Sequence, residues 1–115
     1  GKSQVMNIIG NVKGKTCIIV DDIIDSGGTI INAAKALKDR GAKEVYVYIT
    51  HGVLSGEAVQ KIQKCVIKNL VVTDTIDNQE KVKKAKNIEV LPIAKLMGEA
   101  IKRISNSTSV SDLFK

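Results

Sequence analysis

Three acidic residues and a short serine, glycine and threonine run stand together in the segment VDDIIDSGGT, at residues 20–29. Asp21 and Asp22 directly follow an apolar run, and Asp25 begins the polar run. Carboxylates suit hydroxyl groups or a bound Mg²⁺, whereas glycine backbone and helix N-termini suit phosphate. The segment therefore predicts a site for a ligand that carries hydroxyl groups beside a phosphate, which describes a sugar phosphate.

The second half of this segment suits the phosphate itself. A helix is predicted to begin here, and the first N–H groups of a helix have no partner within it. Gly27 and Gly28 would let the backbone approach a phosphate closely, and Ser26 and Thr29 add hydroxyl donors. A simpler interpretation stays open, in which Asp25 or Ser26 caps the helix and the glycines turn the chain. Capping alone does not explain two adjacent acids at a strand end, where unpaired charges are costly.

Strand-like and helix-like patterns alternate around this segment. Apolar runs predict strands at residues 5–9, 16–20, 45–50, 69–73 and 88–91, and helical periodicity predicts helices at 29–40, 57–65, 78–86 and 93–104. The run at 16–20 is typical of a strand buried on both faces. We expect one α/β domain over residues 1–115, with a parallel sheet covered by helices on both faces and a tail at 106–115.

Ligands of such sheets bind beyond the carboxyl ends of the strands, which selects the turns at 21–29, 51–56 and 73–78. His51, the only histidine, lies in the second of these turns. We interpret it as a hydrogen-bonded loop histidine, and we assign no residue of this chain as a metal ligand.

Composition limits the function classes. The chain has 115 residues, with 18 lysines and arginines against 12 acids, so its net charge is +6. The lysines are scattered and there are only three aromatic residues, so a nucleic-acid surface with base stacking is not expected. No apolar run approaches the ~20 residues that span a bilayer. The two cysteines lie in apolar stretches and are expected to stay reduced, in a cytoplasmic protein.

The segment VDDIIDSGGT resembles the 5-phosphoribosyl 1-diphosphate loop of phosphoribosyltransferase-fold proteins. Four further stretches narrow the resemblance: VMNIIGNVKGKTCIIV before it, then GAKEVYVYITHGVLSGEAV, IKNLVVTDTI and SVSDLF. In this order and spacing they are similar to the C-terminal half of the ribose-phosphate pyrophosphokinase family. The resemblance implies a type I phosphoribosyltransferase-like fold.

That family transfers diphosphate from ATP to ribose 5-phosphate with Mg²⁺, giving 5-phosphoribosyl 1-diphosphate and AMP for nucleotide biosynthesis. The resemblance implies that one group of residues binds the 5-phosphate and that two acids face the ribose hydroxyls. The phosphate group is Asp25, Ser26, Gly27, Gly28 and Thr29, and the two acids are Asp21 and Asp22.

The resemblance also implies what this chain lacks. The family's catalytic basic loop precedes the matching segment, so no catalytic residue is assigned here and the chain alone is not expected to turn over. Because it begins at Gly1 without Met, we interpret it as a piece of a longer enzyme, which in this family typically forms hexamers. The tail residues Ser109, Ser111 and Phe114 correspond to a regulatory phosphate or ADP site between subunits; a tail that merely packs down is the alternative.

Two other functions stay open. A phosphoribosyltransferase acting on a nucleobase would share the same loop, but no base-recognising segment is visible. A non-catalytic pyrophosphokinase-like regulatory subunit is the other, although such relatives tend to lose acids that this chain keeps.

Overall fold

A computed structural model of the protein describes residues 11–105. Strands and helices alternate along this part of the chain, in the predicted order. They are β1 (Thr16–Ile24), α1 (Gly28–Asp39), β2 (Glu44–Gly52), α2 (Ala58–Gln63), β3 (Ile67–Thr73), α3 (Gln79–Val82), β4 (Ile88–Leu91) and α4 (Ala94–Ser105). The strand predicted at residues 5–9 and the tail at 106–115 lie outside the described residues. No helix within residues 11–105 is long and apolar enough to cross a membrane.

The four strands form one sheet in the order β1-β2-β3-β4, and every pair is parallel. The register places Ile19 beside Val47, Val47 beside Leu70, and Leu70 beside Ile88. Strands that follow one another in this order by right-handed crossovers bring their connecting helices to the same face. The parallel α/β fold class is thus confirmed.

One face of the sheet carries the core. Strand β2 alternates, with Val45, Val47 and Ile49 buried and the residues between them more exposed, as expected for side chains that point to opposite faces. Helix α1 buries residues at i, i+3, i+4 and i+7, which is the apolar stripe of an amphipathic helix. Ile62 of α2 and Val82 of α3 join the same cluster.

The opposite face is open within residues 11–105. In β1, Ile18 is 58% exposed and Val20 is 75% exposed, and Tyr48 and Leu91 are also exposed. The prediction that residues 16–20 are buried on both faces is therefore wrong in the described part of the chain. A continuous apolar run indicates only that both faces of a strand can be buried. It does not indicate which part of the protein covers the second face.

Helix α4 has the predicted apolar stripe but buries none of its residues. Met97, Ile101 and Ile104 are more than half exposed. Helix α4 and the open sheet face thus both present apolar surface that no residue of 11–105 covers. The helix begins beside β3, where the N–H groups of Ile93 and Ala94 both donate to Asp74 Oδ1 at 2.8 Å.

Element boundaries differ from prediction in several places. Strand β1 continues through Ile24, so Asp21 and Asp22 are strand residues and not turn residues. Strand β3 begins two residues earlier than predicted, and α3 is a single turn instead of a helix over 78–86. A single turn suffices there because only Val82 and Ala85 of that segment need to reach the core.

Candidate functional site: the loop between β1 and α1

The loop that joins β1 to α1 lies at the carboxyl edge of the sheet. The loop is short, because β1 ends at Ile24 and α1 begins at Gly28. It is fastened to the next strand's loop by the N–H groups of Val53, which donates to Ile24 O at 2.8 Å, and Ser55, which donates to Asp25 O at 3.1 Å. The geometry of the loop is therefore fixed by backbone contacts with the residues that follow β2.

Gly27 turns the chain into the helix. It has φ +87° and ψ −6°, the left-handed conformation that favours glycine, and it occupies the N-cap position of α1. Its carbonyl accepts from Ile31 N at 2.9 Å. A Cβ on Gly28, by contrast, would meet no atom within 4 Å. Gly27 is therefore required by the turn itself, whereas Gly28 leaves open space in front of the first helical residue.

The N-terminus of α1 receives no side-chain cap among the residues that the structure describes, and its first turn has no acidic residue. The interpretation of Asp25 or Ser26 as a helix cap is therefore wrong. Asp25 Oδ1 instead accepts a hydrogen bond from the hydroxyl of Ser55. The first N–H groups of α1 are left facing outward, where the positive end of the helix favours an anion.

Strand, loop and helix together line a cavity of about 270 Å³. Six of the seven predicted binding residues contribute to its wall: Asp21, Asp25, Ser26, Gly27, Gly28 and Thr29. Asp22 does not line the cavity; its N–H donates to Asp21 Oδ1 at 2.8 Å. Neighbouring residues of a strand point to opposite faces, and this separates the two adjacent acids.

The cavity combines two carboxylates with backbone N–H groups and hydroxyls, and no lysine or arginine of residues 11–105 lines it. Such a wall offers acceptors at one end and neutral donors at the other. Within residues 11–105 no three or more His, Cys, Asp or Glu side chains cluster as a metal site requires. A Mg²⁺ ion at this edge of the sheet would therefore need oxygen ligands beyond the carboxylates of the described residues.

Hydrogen bonds that the sequence did not reveal join the carboxyl ends of β2 and β3. His51, which is a residue of β2, has its Nδ1 2.8 Å from Thr75 Oγ1. The hydroxyl of Thr73 donates to Thr50 O, and Thr75 N donates to Thr73 Oγ1 at 3.3 Å. The interpretation of His51 as a hydrogen-bonded side chain is confirmed, although it lies in a strand and not in a loop.

Ser55 is the residue of this site that sequence reasoning missed. It lies 30 residues from Asp25, and no local pattern marks a serine that will contact a distant carboxylate. The predicted regulatory residues Ser109, Ser111 and Phe114 lie outside the described residues.

Known proteins are similar to this chain over nearly its whole length. Residues 2–115 match the family described as phosphoribosyl synthetase-associated domain. The ribose-phosphate pyrophosphokinase of Hyphomonas neptunium is 61% identical over 99% of this chain, and that of Bradyrhizobium diazoefficiens is 58% identical over the same share. This chain spans 36% of the length of each.

A solved structure is similar in fold as well. The phosphoribosylpyrophosphate synthetase of Mycobacterium smegmatis superposes with a TM-score of 0.79 and 42% sequence identity, over 86% of this chain and 33% of that one. The fold is therefore phosphoribosyltransferase-like, as predicted. The matched share is about a third of the relatives' length, so the prediction of one half is too large.

Proposed function

We propose that this chain, which belongs to the phosphoribosyl synthetase-associated domain family, is the ribose-5-phosphate-binding part of a longer ribose-phosphate pyrophosphokinase. The enzyme would transfer diphosphate from ATP to ribose 5-phosphate, giving 5-phosphoribosyl 1-diphosphate and AMP for nucleotide biosynthesis. The observation that carries the proposal is the uncapped N-terminus of α1, which opens into a cavity walled by two carboxylates.

In this proposal the 5-phosphate lies against the first turn of α1. The outward N–H groups of that turn and the hydroxyls of Ser26 and Thr29 donate to the phosphate oxygens, and Gly28 leaves room for the approach. Asp21 accepts from the ribose hydroxyls farther along the cavity, because a carboxylate next to the phosphate would repel it. Asp25 is held by Ser55 and shapes the loop between the two.

Asp22 has a different place in the proposal. It does not line the cavity. It would contact the ribose hydroxyls only where the bound sugar reaches beyond the side of the cavity that β1 forms. Its hydrogen bond to Asp21 Oδ1 orients the carboxylate that does line the cavity.

The chemical step needs groups that the described residues do not supply. The C1 hydroxyl of the ribose loses its proton to solvent as its oxygen bonds to the β-phosphorus of ATP, the bond from that phosphorus to the α,β-bridging oxygen breaks, and AMP leaves. Such transfers depend on positioning and on neutralising phosphate charge. This cavity positions the sugar, but none of the described residues brings a basic side chain to it, so we assign no catalytic residue here. Mg²⁺, when bound with the substrates, would supply the neutralising charge.

The resemblance assigns this third of the enzyme to its C-terminal part, and we propose that position. The coding sequence on both sides of the chain tests it: the remaining two thirds are expected upstream, and a long coding sequence downstream would place the chain at the other end. We further propose that the longer enzyme acts in the cytoplasm as a homo-oligomer, a hexamer by resemblance, with Ser109, Ser111 and Phe114 at a regulatory site.

The open sheet face and the apolar stripe of α4 support a longer protein. Val20 and Ile101 are among the most exposed apolar side chains of the described residues, and relatives have about two thirds of their length beyond this chain. We assign this surface to contact with that remaining part of the same enzyme.

Replacement of Asp21 by Asn in the longer enzyme tests the site. We expect a higher KM for ribose 5-phosphate with an unchanged KM for ATP, because the change removes a charged acceptor of the sugar hydroxyls only. Asp39→Asn, at the far end of α1, is the matched control. An unchanged KM for ribose 5-phosphate would refute the site.

A further inference from the structure

A second and larger cavity lies at the amino edge of the sheet, at the opposite ends of the strands from the loop after β1. Its volume is about 700 Å³, and the segments that lead into β2, β3 and β4 line it. Five lysines converge on it together with a single acid. They are Lys38, Lys43, Lys68, Lys84 and Lys86, and the acid is Glu44.

The charges of this cavity are mostly uncompensated. Glu44 accepts a hydrogen bond from Tyr46 Oη at 2.7 Å, and Lys38 Nζ donates to Lys43 O at 3.0 Å. The other four ammonium groups have no hydrogen-bond or ion-pair partner within residues 11–105. The Tyr46 hydrogen bond, and then the nearby lysines, lower the pKa of Glu44. The cavity is therefore a concentrated positive surface.

Helix ends do not account for so many cations. A lysine near a helix C-terminus offsets the negative end of the helix dipole, and Lys38 serves α1 in this way. Helices α2 and α3 have only six and four residues, so their dipoles are small. The remaining lysines come from the loop before β2, the start of β3 and the loop before β4, yet they line one concavity, which is an arrangement that the helices do not require.

We propose that this cavity binds a multiply charged phosphate anion, of the diphosphate or triphosphate type. Ammonium groups on flexible stems bind phosphate as point charges, and several of them together match an anion of several charges. No aromatic side chain from the described part of the chain lines the cavity, so that part offers no stacking surface for a base. Because the cavity lies at the opposite edge of the sheet, its occupant would not compete with a ligand at the loop after β1.

Isothermal titration calorimetry, which measures the affinity of the complete polypeptide for inorganic triphosphate, tests this site. Lys68→Ala with Lys86→Ala is expected to weaken binding by about a hundredfold, because each of the two hydrogen bonds between charged groups contributes about tenfold. Lys95→Ala with Lys102→Ala removes the same charge from α4, away from the cavity, and is expected to change the affinity less than about twofold.

Other arms of the titration separate this site from its alternatives. Thr29→Ala, in the first turn of α1, is expected to leave the lysine-dependent binding unchanged, whatever its effect on ribose 5-phosphate. Equal weakening by the two lysine pairs would show that only net charge matters, and would overturn the proposal. Tighter binding of a hexa-aspartate peptide or of single-stranded RNA than of triphosphate would overturn the phosphate assignment.

Discussion

The hydroxyl of Ser55 donates a hydrogen bond to the carboxylate of Asp25, and the backbone N–H of the same serine donates to the carbonyl of the same aspartate at 3.1 Å. This double contact joins the loop after β1 to the loop after β2. It removes Asp25 from the role of helix cap and leaves the N-terminus of α1 available to a ligand. The open end of the helix is thus maintained by a residue 30 positions away.

Ser55→Ala in the longer enzyme is expected to raise the KM for ribose 5-phosphate. A hydrogen bond of this kind contributes about 0.5–1.5 kcal/mol, which corresponds to a roughly two- to tenfold change. Ser105→Ala, at the exposed end of α4, is the matched control and should leave the KM unchanged. Steady-state kinetics at saturating ATP measure both. Equal KM values for the two variants would contradict the role of Ser55.

Gly27→Ala and Gly28→Ala are expected to change different quantities. The first should lower the free energy of unfolding, and the second should raise the KM for ribose 5-phosphate. At Gly27 the left-handed φ makes alanine unfavourable by about 1–2 kcal/mol, although its Cβ would contact neighbours only at ordinary distances of 3.7–3.8 Å. Urea denaturation should show this loss of stability. Gly28→Ala should keep the free energy of unfolding, because no atom crowds its Cβ, and yet raise the KM for ribose 5-phosphate. A stable Gly28→Ala enzyme with unaltered KM would show that the phosphate does not approach there.

Asp74→Ala is expected to destabilise α4. The carboxylate accepts from two N–H groups at the start of the helix, and loss of such a cap costs about 0.5–2 kcal/mol. Asp74→Asn keeps an acceptor oxygen and should recover most of the difference. Hydrogen exchange of the α4 amides in the three proteins measures the effect. Identical exchange in all three would show that α4 depends on other contacts.

The thiol of Cys65 is expected to ionise at a higher pH than an ordinary cysteine thiol. Burial raises its pKa above the ordinary value of 9.0, while hydrogen bonds from the backbone partly oppose the shift. In a Cys17→Ser background, the rate of alkylation by iodoacetamide should therefore reach half its maximum above pH 9.0 in the folded protein and at a lower pH in urea.

The same shift predicts a pH dependence of stability. Because the unfolded thiol loses its proton first as the pH rises, the free energy of unfolding should fall above pH 9.0, and no loss from this group is expected below that value. A Cys65→Ala variant provides the control, since it lacks the ionising group. Equal pH profiles for the two proteins would contradict the raised pKa.

Local patterns in the sequence were sufficient to predict the loop between β1 and α1, where the candidate site lies. The apolar run before Asp21, the glycines and the helical period after Thr29 together predict strand, turn and helix, because each depends on residues close in the chain. They also place the loop at the carboxyl edge of a parallel sheet, since that edge follows from strand direction alone. The same local patterns predicted that Asp21 and Asp22 belong to one site. In a turn, neighbouring side chains need not point to opposite faces, whereas in strand β1 they do, and only Asp21 lines the cavity.

The sequence by itself determined the order of the elements, the parallel α/β class and the glycine-containing turn between β1 and α1, all of which depend on local periodicity and on backbone chemistry. Only the tertiary structure decided that Ser55 holds Asp25, that Asp22 leaves the cavity wall and that five separate lysines share one cavity. Each of these depends on which distant segments the sheet brings together. The exposure of Val20 has the same origin, because an apolar run specifies that a face can be buried but not what buries it.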